Sequence, residues 1–497
     1  MHRWIRILLL CVCSVSARAE SPRPFTVQLT AEPASLDPSL VEDGLSLRVL
    51  NLVLRGLTAY DGEGRVQLAL AEELEPLPRG KNKSPGLRAV IRKDALWSDG
   101  TRITAADFMY AFKRGLDPDT ASRLADLLFV IRGARDYKTG KLSDFAAVGI
   151  KAIGDRELRF EFDEPCGYFP HVLASIIAVP QRPGAKSYNG PYVFEKDSPA
   201  GVIGLSRNPR WPLPPVGPDR VEFRLVAEDA PSLALLQSGG LDVLLRVPTL
   251  ELRRLREQGK IAEFPLRATY YLGFNQRRLF WRDKQARRAV VSAVSRADIL
   301  ELQQGDGEQA CSWLPSALGG PRVCPPPPRP PGMRSTLFVA AVPEDLALAF
   351  DGGSRNQLIA EKIQVDLKKA WGIDATLKAR DWKSHLQALY RGDVGMFRFG
   401  WLSVILDAYA HLSLFRSDSP NNHTGWKNQE YDALLDKIAT KPEGPVRQRL
   451  IERAAALIDE EAVALPLFHY KMTVALSPRA KGLRVNPLGL LDLSGVK

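Results

Sequence analysis

Apolar positions recur along the chain at two different periods, and the two periods separate strands from helices. Near the start, FTVQL sets Phe25, Val27 and Leu29 on alternate positions, the two-residue period of a strand. Further on, LRAVIRK, from Leu87, leads to the turn residues Ser98, Asp99 and Gly100. Thr104 then opens TAADFMYAFKRGL, which carries Phe108, Phe112 and Leu116 on one helical face. Asp107, three residues after Thr104, has the spacing of a capping box, although its side chain is shorter than the usual Glu or Gln. In the second half Ile359, Ile363, Leu367 and Trp371 form one helical stripe that Gly372 can terminate. IDATLKA predicts a strand with Ile373, Ala375 and Leu377 on one side. A short helix from Trp382 to Arg391, stopped near Gly392, and the apolar strand VGMFRFG follow. Strand and helix alternate, so this half is α/β.

Length sets the scale of the fold. The 497 residues predict about three domains, and 45% apolar with 25% charged residues is the balance of an ordinary globular protein. No uncharged apolar run reaches about 18 residues, so no membrane-crossing helix is expected. The first twenty residues read as a secretory signal: Arg3 and Arg6 precede the apolar run Ile7 to Val15, and Ala17-Arg18-Ala19 is a small-x-small cleavage pattern. Cleavage after Ala19 is expected, with a periplasmic destination. A lipid anchor is the rival reading, but Cys11 follows Leu10 and Cys13 follows Val12, where a small residue is needed. Losing residues 1–19 lowers the formal net charge from +11 to +8. With no run of five or six Lys/Arg, this charge reads as dispersed and solubilising, and no nucleic-acid partner is expected. Of the three remaining cysteines, Cys311 and Cys324 are close enough to staple a loop and leave Cys166 free; three unpaired thiols are the alternative. CPPPPRPPG, Cys324 to Gly332, reads as a stiff polyproline II spacer in preference to a docking motif.

Catalytic templates are missing. The chain has no G-x-S-x-G elbow, P-loop, G-x-G-x-x-G, H-E-x-x-H or C-x-x-C. His171, His385, His411, His423 and His469 share no metal-ligand spacing. The residues therefore predict neither an enzyme nor a cofactor or metal site, with a triad assembled from distant positions left open.

A series of blocks in fixed order then points to a family. EPASLDPS at Glu32 to Ser39, LRGLTAYDGEG at Leu54 to Gly64, WSDGTRITAADFMYAFKR at Trp97 to Arg114, NGPYVF at Asn189 to Phe194, TYYLGFN at Thr269 to Asn275, DWKSHL at Asp381 to Leu386 and FRFGW at Phe397 to Trp401 run in sequence. NNHTGWKNQEYDALL and LPLFHY follow. In this order over about 450 residues they resemble the periplasmic oligopeptide- and dipeptide-binding proteins of ABC importers (solute-binding protein family 5). The resemblance implies an α/β, two-lobed periplasmic binding protein fold with an additional domain on the first lobe and a ligand cleft between the lobes. It divides the chain into a signal at 1–19, a first lobe of 20–47, 187–267 and 478–497, an additional domain of 48–186, and a second lobe of 268–477. It implies a monomer that holds a peptide or peptide-like ligand by β-strand addition and end capture and presents it to an inner-membrane permease.

By the same resemblance, the candidate cleft residues are Trp382 and Trp401 as apolar walls, Asn421 as a backbone-contacting amide and Tyr271 as a cleft tyrosine. Arg398 is the matching arginine for a peptide carboxylate, a buried structural ion pair being its other reading. The pattern breaks at GWLSVILDAY: Val404 stands where the family carries the aspartate that pairs with the peptide ammonium, leaving Asp407 as a substitute only if the loop is reshaped. A polar run ahead of Pro248 is replaced by Leu244-Leu245-Arg246, and the disulfide of some members would fall at Ala268 and Leu402. These departures keep open a divergent member that takes an N-blocked or non-peptide ligand, or an accessory protein that binds none.

Overall fold

The computed structural model describes residues 23–324 and 344–496, apart from 42, 78–84, 121, 185–186 and 215–216. The signal segment, and the proline run beyond Cys324, lie outside the described residues. One large mixed sheet organises the rest. From edge to edge its neighbouring strands are Leu377–Arg380, Leu348–Asp351, Met396–Leu402, Ile261–Phe274, Ala464–Leu476, Val243–Leu244, Phe25–Leu29, Arg220–Leu225, Val202–Arg207 and Tyr192–Phe194.

Two long central strands join the two lobes. Ile261–Pro265 of the outgoing strand pairs with Lys471–Ala475, whereas Thr269–Gly273 pairs with Ala464–His469, and the register breaks between Pro265 and Thr269. Pro265 brings no N–H to the ladder, so a break beside it costs little. The late part of the return strand, at Ala475 and Leu476, pairs with Leu244 and Val243 and so belongs to the first lobe.

Separate hydrophobic cores fill the three bodies. Phe25, Val27, Tyr192, Phe223 and Val474 pack in the first lobe, where Phe25–Leu29 is buried on both faces between parallel neighbours. Leu57 to Ala178 form the core of the additional domain around a four-stranded antiparallel sheet. Helix Gly44–Val53 sends Val49, Leu50, Leu52 and Val53 into the first-lobe core. In the second lobe the sheet has a core on each face: Tyr271, Phe397 and Phe399 on one, Tyr270, Leu272 and Met396 on the other. Gly273 makes this close packing possible, because a Cβ there would lie 2.2 Å from the Phe397 ring.

Local chemistry explains the elements. The helix after Thr104 spans Ala105–Leu116, and the Thr104 N–H donates to Asp107 Oδ2 at 2.8 Å, so the short acid does reach. Helix Ser354–Trp371 ends at Gly372 with φ 69°, a left-handed cap suited to glycine. The strand expected from Ile373 shortens to Leu377–Arg380. Gln364 Nε2 takes the Ala375 carbonyl at 2.6 Å, and sheet pairing begins only where the Leu348 N–H meets the Thr376 carbonyl at 2.8 Å. Cys311 and Cys324 form a disulfide, and Cys166 is a half-buried free thiol. No helix among the described residues is long and apolar enough to cross a membrane.

Candidate functional site

The strand Met396–Leu402 has one edge that is only partly covered. It pairs antiparallel with the outgoing strand over its whole length, from Phe274 against Met396 to Ala268 against Leu402. On its other side Leu348–Asp351 pairs with it only at Met396 and Phe397. The Ser403 N–H donates to the Arg267 carbonyl at 3.2 Å, which places the odd-numbered backbone groups against the outgoing strand. Arg398, Gly400 and Leu402 therefore direct their backbone N–H and C=O groups to the open side. His385 Nε2 lies 2.9 Å from the Arg398 carbonyl, while Gly400 and Leu402 keep a free edge among the described residues. The edge lies beside the hinge and at the carboxyl ends of the parallel strands Leu348–Asp351 and Leu377–Arg380, where open α/β sheets bind ligands.

Apolar groups flank this edge. Trp382, 50% exposed, stacks on Phe399 at 5.8 Å and 13°. His423 packs edge-on against Phe399 at 5.3 Å and Tyr390 at 5.0 Å, and burial pushes its pKa down to about 4, so the shelf is uncharged at neutral pH. Leu402 and Val404 are 54% and 49% exposed. Trp401 is half-buried with an indole N–H that has no partner, and Asn421 is half-buried. Ala268 and Leu402 face each other in register and bring no sulfur to the position where some members carry a disulfide.

Three of the expected cleft residues are committed elsewhere. Arg398 points into the core, where its Nη1 donates to Asp351 Oδ1, its Nη2 donates to the Tyr470 hydroxyl at 3.1 Å, and the guanidinium lies 4.4 Å from the Tyr270 ring centre. Burial forces this pairing, since an unpaired charge would be expensive on that face of the strand. Tyr271 is a core residue, enclosed by Trp313, Phe397, Phe399 and Phe415. Asp407 is buried, and its Oδ1 accepts both from Arg447 Nη2 at 2.8 Å and from the Tyr409 N–H at 2.7 Å, while His171 Nε2 lies 3.8 Å from Oδ2.

Other contributors escaped sequence reasoning. Thr269 Oγ1 sits 3.0 Å from both His411 Nε2 and His469 Nδ1, and His411 Nδ1 sits 2.7 Å from Ser403 Oγ. This buried chain ties both crossing strands to the loop after the open edge. Burial pushes His469 down to about 3 and His411 well below its ordinary value, so both are neutral links. From the additional domain, the Tyr60 hydroxyl accepts the Leu406 N–H at 3.2 Å and pins the same loop. These partners are far apart in sequence, and no spacing announces them. Arg380 was also missed. It pairs in register with Asp351 at the strand end, yet its side chain makes no ion pair and its buried Nη1 has no hydrogen-bond partner among the described residues. A cation ending an apolar strand just before Asp381-Trp382 was the available signal. A groove of about 880 Å³ between the first lobe and the additional domain draws no residue from the second lobe, and its Arg114 is spent on Asp37.

A free sheet edge at the hinge of two α/β lobes, walled by aromatic side chains, defines a two-lobed solute receptor. Residues 66–423 match the family described as bacterial extracellular solute-binding proteins, family 5 (middle region), and the chain belongs to this family. It is 26% identical to the oligopeptide-binding protein OppA of Bacillus subtilis, over 92% of this chain and 90% of that one. It is 28% identical to the probable deoxycholate-binding periplasmic protein YgiS of Escherichia coli, over 91% of this chain and 89% of that one. Among solved structures, the unliganded open form of the murein tripeptide-binding protein MppA superposes with a TM-score of 0.80, at 22% identity and over 95% of both chains.

Proposed function

We propose that this protein captures a peptide or peptide-like solute between its lobes, outside the cytoplasm, and delivers it to the permease of an ABC importer. The observation that carries this reading is the free backbone edge at Gly400 and Leu402. An extended peptide adding to that edge gains main-chain hydrogen bonds that do not depend on its sequence. Trp382, Trp401 and Asn421 border the edge and contact the ligand's side chains and backbone. Rotation about the register break at Pro265–Thr269, and about Tyr470 on the return strand, closes the first lobe over the ligand. Cleavage after Ala19 releases the mature chain, which works as a monomer. The similarity to OppA, named for oligopeptide binding, supports the ligand class.

Native mass spectrometry of the exported protein tests the reading. Bound masses that fragment as peptides are expected. A single sterol-sized mass would favour a ligand of the kind named for YgiS, in keeping with the exposed Leu402 and Val404.

A further inference from the structure

The arginine that the family pattern picks out is paired within the fold, whereas Arg380 has a buried donor with no partner among the described residues. Arg398 is closed into a pair with Asp351, whose other carboxylate oxygen accepts from Asn356 Nδ2 at 3.1 Å. Arg380 stands beside this pair, at the carboxyl end of the neighbouring parallel strand, with no carboxylate within 4.0 Å among the described residues. A guanidinium has five donors, and leaving a buried one unpaired forfeits the hydrogen bonds it had in water. Such a cost is ordinarily met by a partner, and no side chain here supplies one.

The surroundings of Arg380 belong to the ligand site. Trp382 follows two residues later and stacks on Phe399 of the open strand. His385, one turn into the same helix, lies against the Arg398 carbonyl at the start of the free edge. The charges facing this corner are Asp351 and Arg398, which neutralise each other, and Asp381, whose carboxylate is spent on the Ser384 N–H at 3.0 Å as a helix cap.

We infer that Arg380 is a specificity-determining residue of the cleft, receiving the carboxylate of a ligand laid along the Gly400–Leu402 edge. This rests on the peptide-capture reading and assigns the ligand's acidic end to a residue outside the family's motif. A guanidinium can meet a carboxylate with two parallel N–H groups, a geometry lysine does not reproduce. The opposite end of the edge offers only the methyl groups of Val404. The favoured ligand has a free carboxylate or another acidic group and needs no free ammonium.

The test uses an apolar pentapeptide pool in two forms, with free and with amidated C-termini, titrated by calorimetry into the full-length mature protein and its Arg380→Gln variant. The wild type is expected to prefer the free-acid pool by about 10- to 100-fold, as loss of a charged hydrogen-bonded contact implies. Arg380→Gln removes that preference and leaves the amidated pool within about twofold of wild type, and Arg380→Lys restores part of it. An equal loss for both pools would make Arg380 a structural residue and overturn the inference, as would an unchanged preference. If neither pool binds the wild type, the peptide-capture reading itself fails.

Discussion

Replacing Arg398 by alanine separates two roles that the sequence left open. In the structure its partners are internal: Asp351 by ion pair, Tyr470 by hydrogen bond and Tyr270 by its ring face. The paired side chains are 14% and 18% exposed, so the pair is largely shielded from water. Removing one member of a buried pair costs roughly 3–5 kcal/mol, because the survivor keeps its charge without compensation. Here Asp351 retains the Asn356 amide, which holds the cost to the lower part of that range. The lost contact with Tyr270 adds about 0.5–2 kcal/mol. We therefore expect Arg398→Ala to lower the unfolding free energy of the second lobe by about 3.5–6 kcal/mol and to change peptide affinity by less than about 0.5 kcal/mol. Urea denaturation followed by tryptophan fluorescence, beside calorimetry of the same samples, reads both quantities. Asp351→Asn should be destabilising too, and the double variant should cost less than the sum of the singles. An affinity loss of tenfold or more with an unchanged denaturation midpoint would show that Arg398 reaches the ligand and would refute the reasoning.

Val404→Asp places a carboxylate beside the free edge, and we expect it to strengthen binding of peptides with a free amino terminus by about 1–3 kcal/mol and of N-acetylated peptides not at all; equal effects on both would exclude ammonium pairing at this position. Stability should fall on acidification below pH 6.5. Unfolded histidines take up protons near 6.5, whereas His423 and His469 in the folded protein do so only near about 4 and about 3. Each therefore contributes a loss of about 1.4 kcal/mol per pH unit within its window. Asp459, pushed up to about 7 by burial, acts with the opposite sign, since the folded state binds its proton first, and it offsets only one of them. Denaturation curves between pH 7 and 4.5 check this, and His423→Asn should flatten the slope; stability that holds or rises on acidification would contradict it. Reducing Cys311–Cys324, which spans 13 residues, should cost about 3 kcal/mol by the chain-entropy account. The measurement is denaturation with and without reductant, with a Cys311→Ser/Cys324→Ser double variant as control, and an unmoved midpoint would show that the staple is thermodynamically idle.

Elements with a strong local signal were legible in the sequence. The stripe from Ile359 to Trp371, the Thr104 capping residue and the glycines at 372 and 392 each act within one turn, and the structure realises all of them. Cross-strand register was not legible, and only the structure shows that Ala475 and Leu476 pair with Leu244 and Val243. Of the six candidate cleft residues, Trp382 and Trp401 lie by the open edge, Asn421 is half-buried in the turn before His423, and Tyr271, Arg398 and Asp407 have partners in the interior. For the last two the sequence is silent for one reason: their partners, Asp351 and Arg447, come from other elements, and a charged side chain looks equally available until its partner is seen. Arg380 is the converse case, a cation with no motif around it that becomes notable only because its buried Nη1 has no partner among the described residues.

The central claim is that a ligand adds to the open edge of Met396–Leu402 at the hinge. Amide hydrogen exchange, resolved to single residues and measured before and after adding a free-acid pentapeptide pool, tests it most directly. Strong slowing at Gly400 and Leu402 is predicted, with little change at Phe397 and Phe399, whose amides already face the outgoing strand. Saturable peptide binding that leaves Gly400 and Leu402 exchanging as fast as before would contradict it.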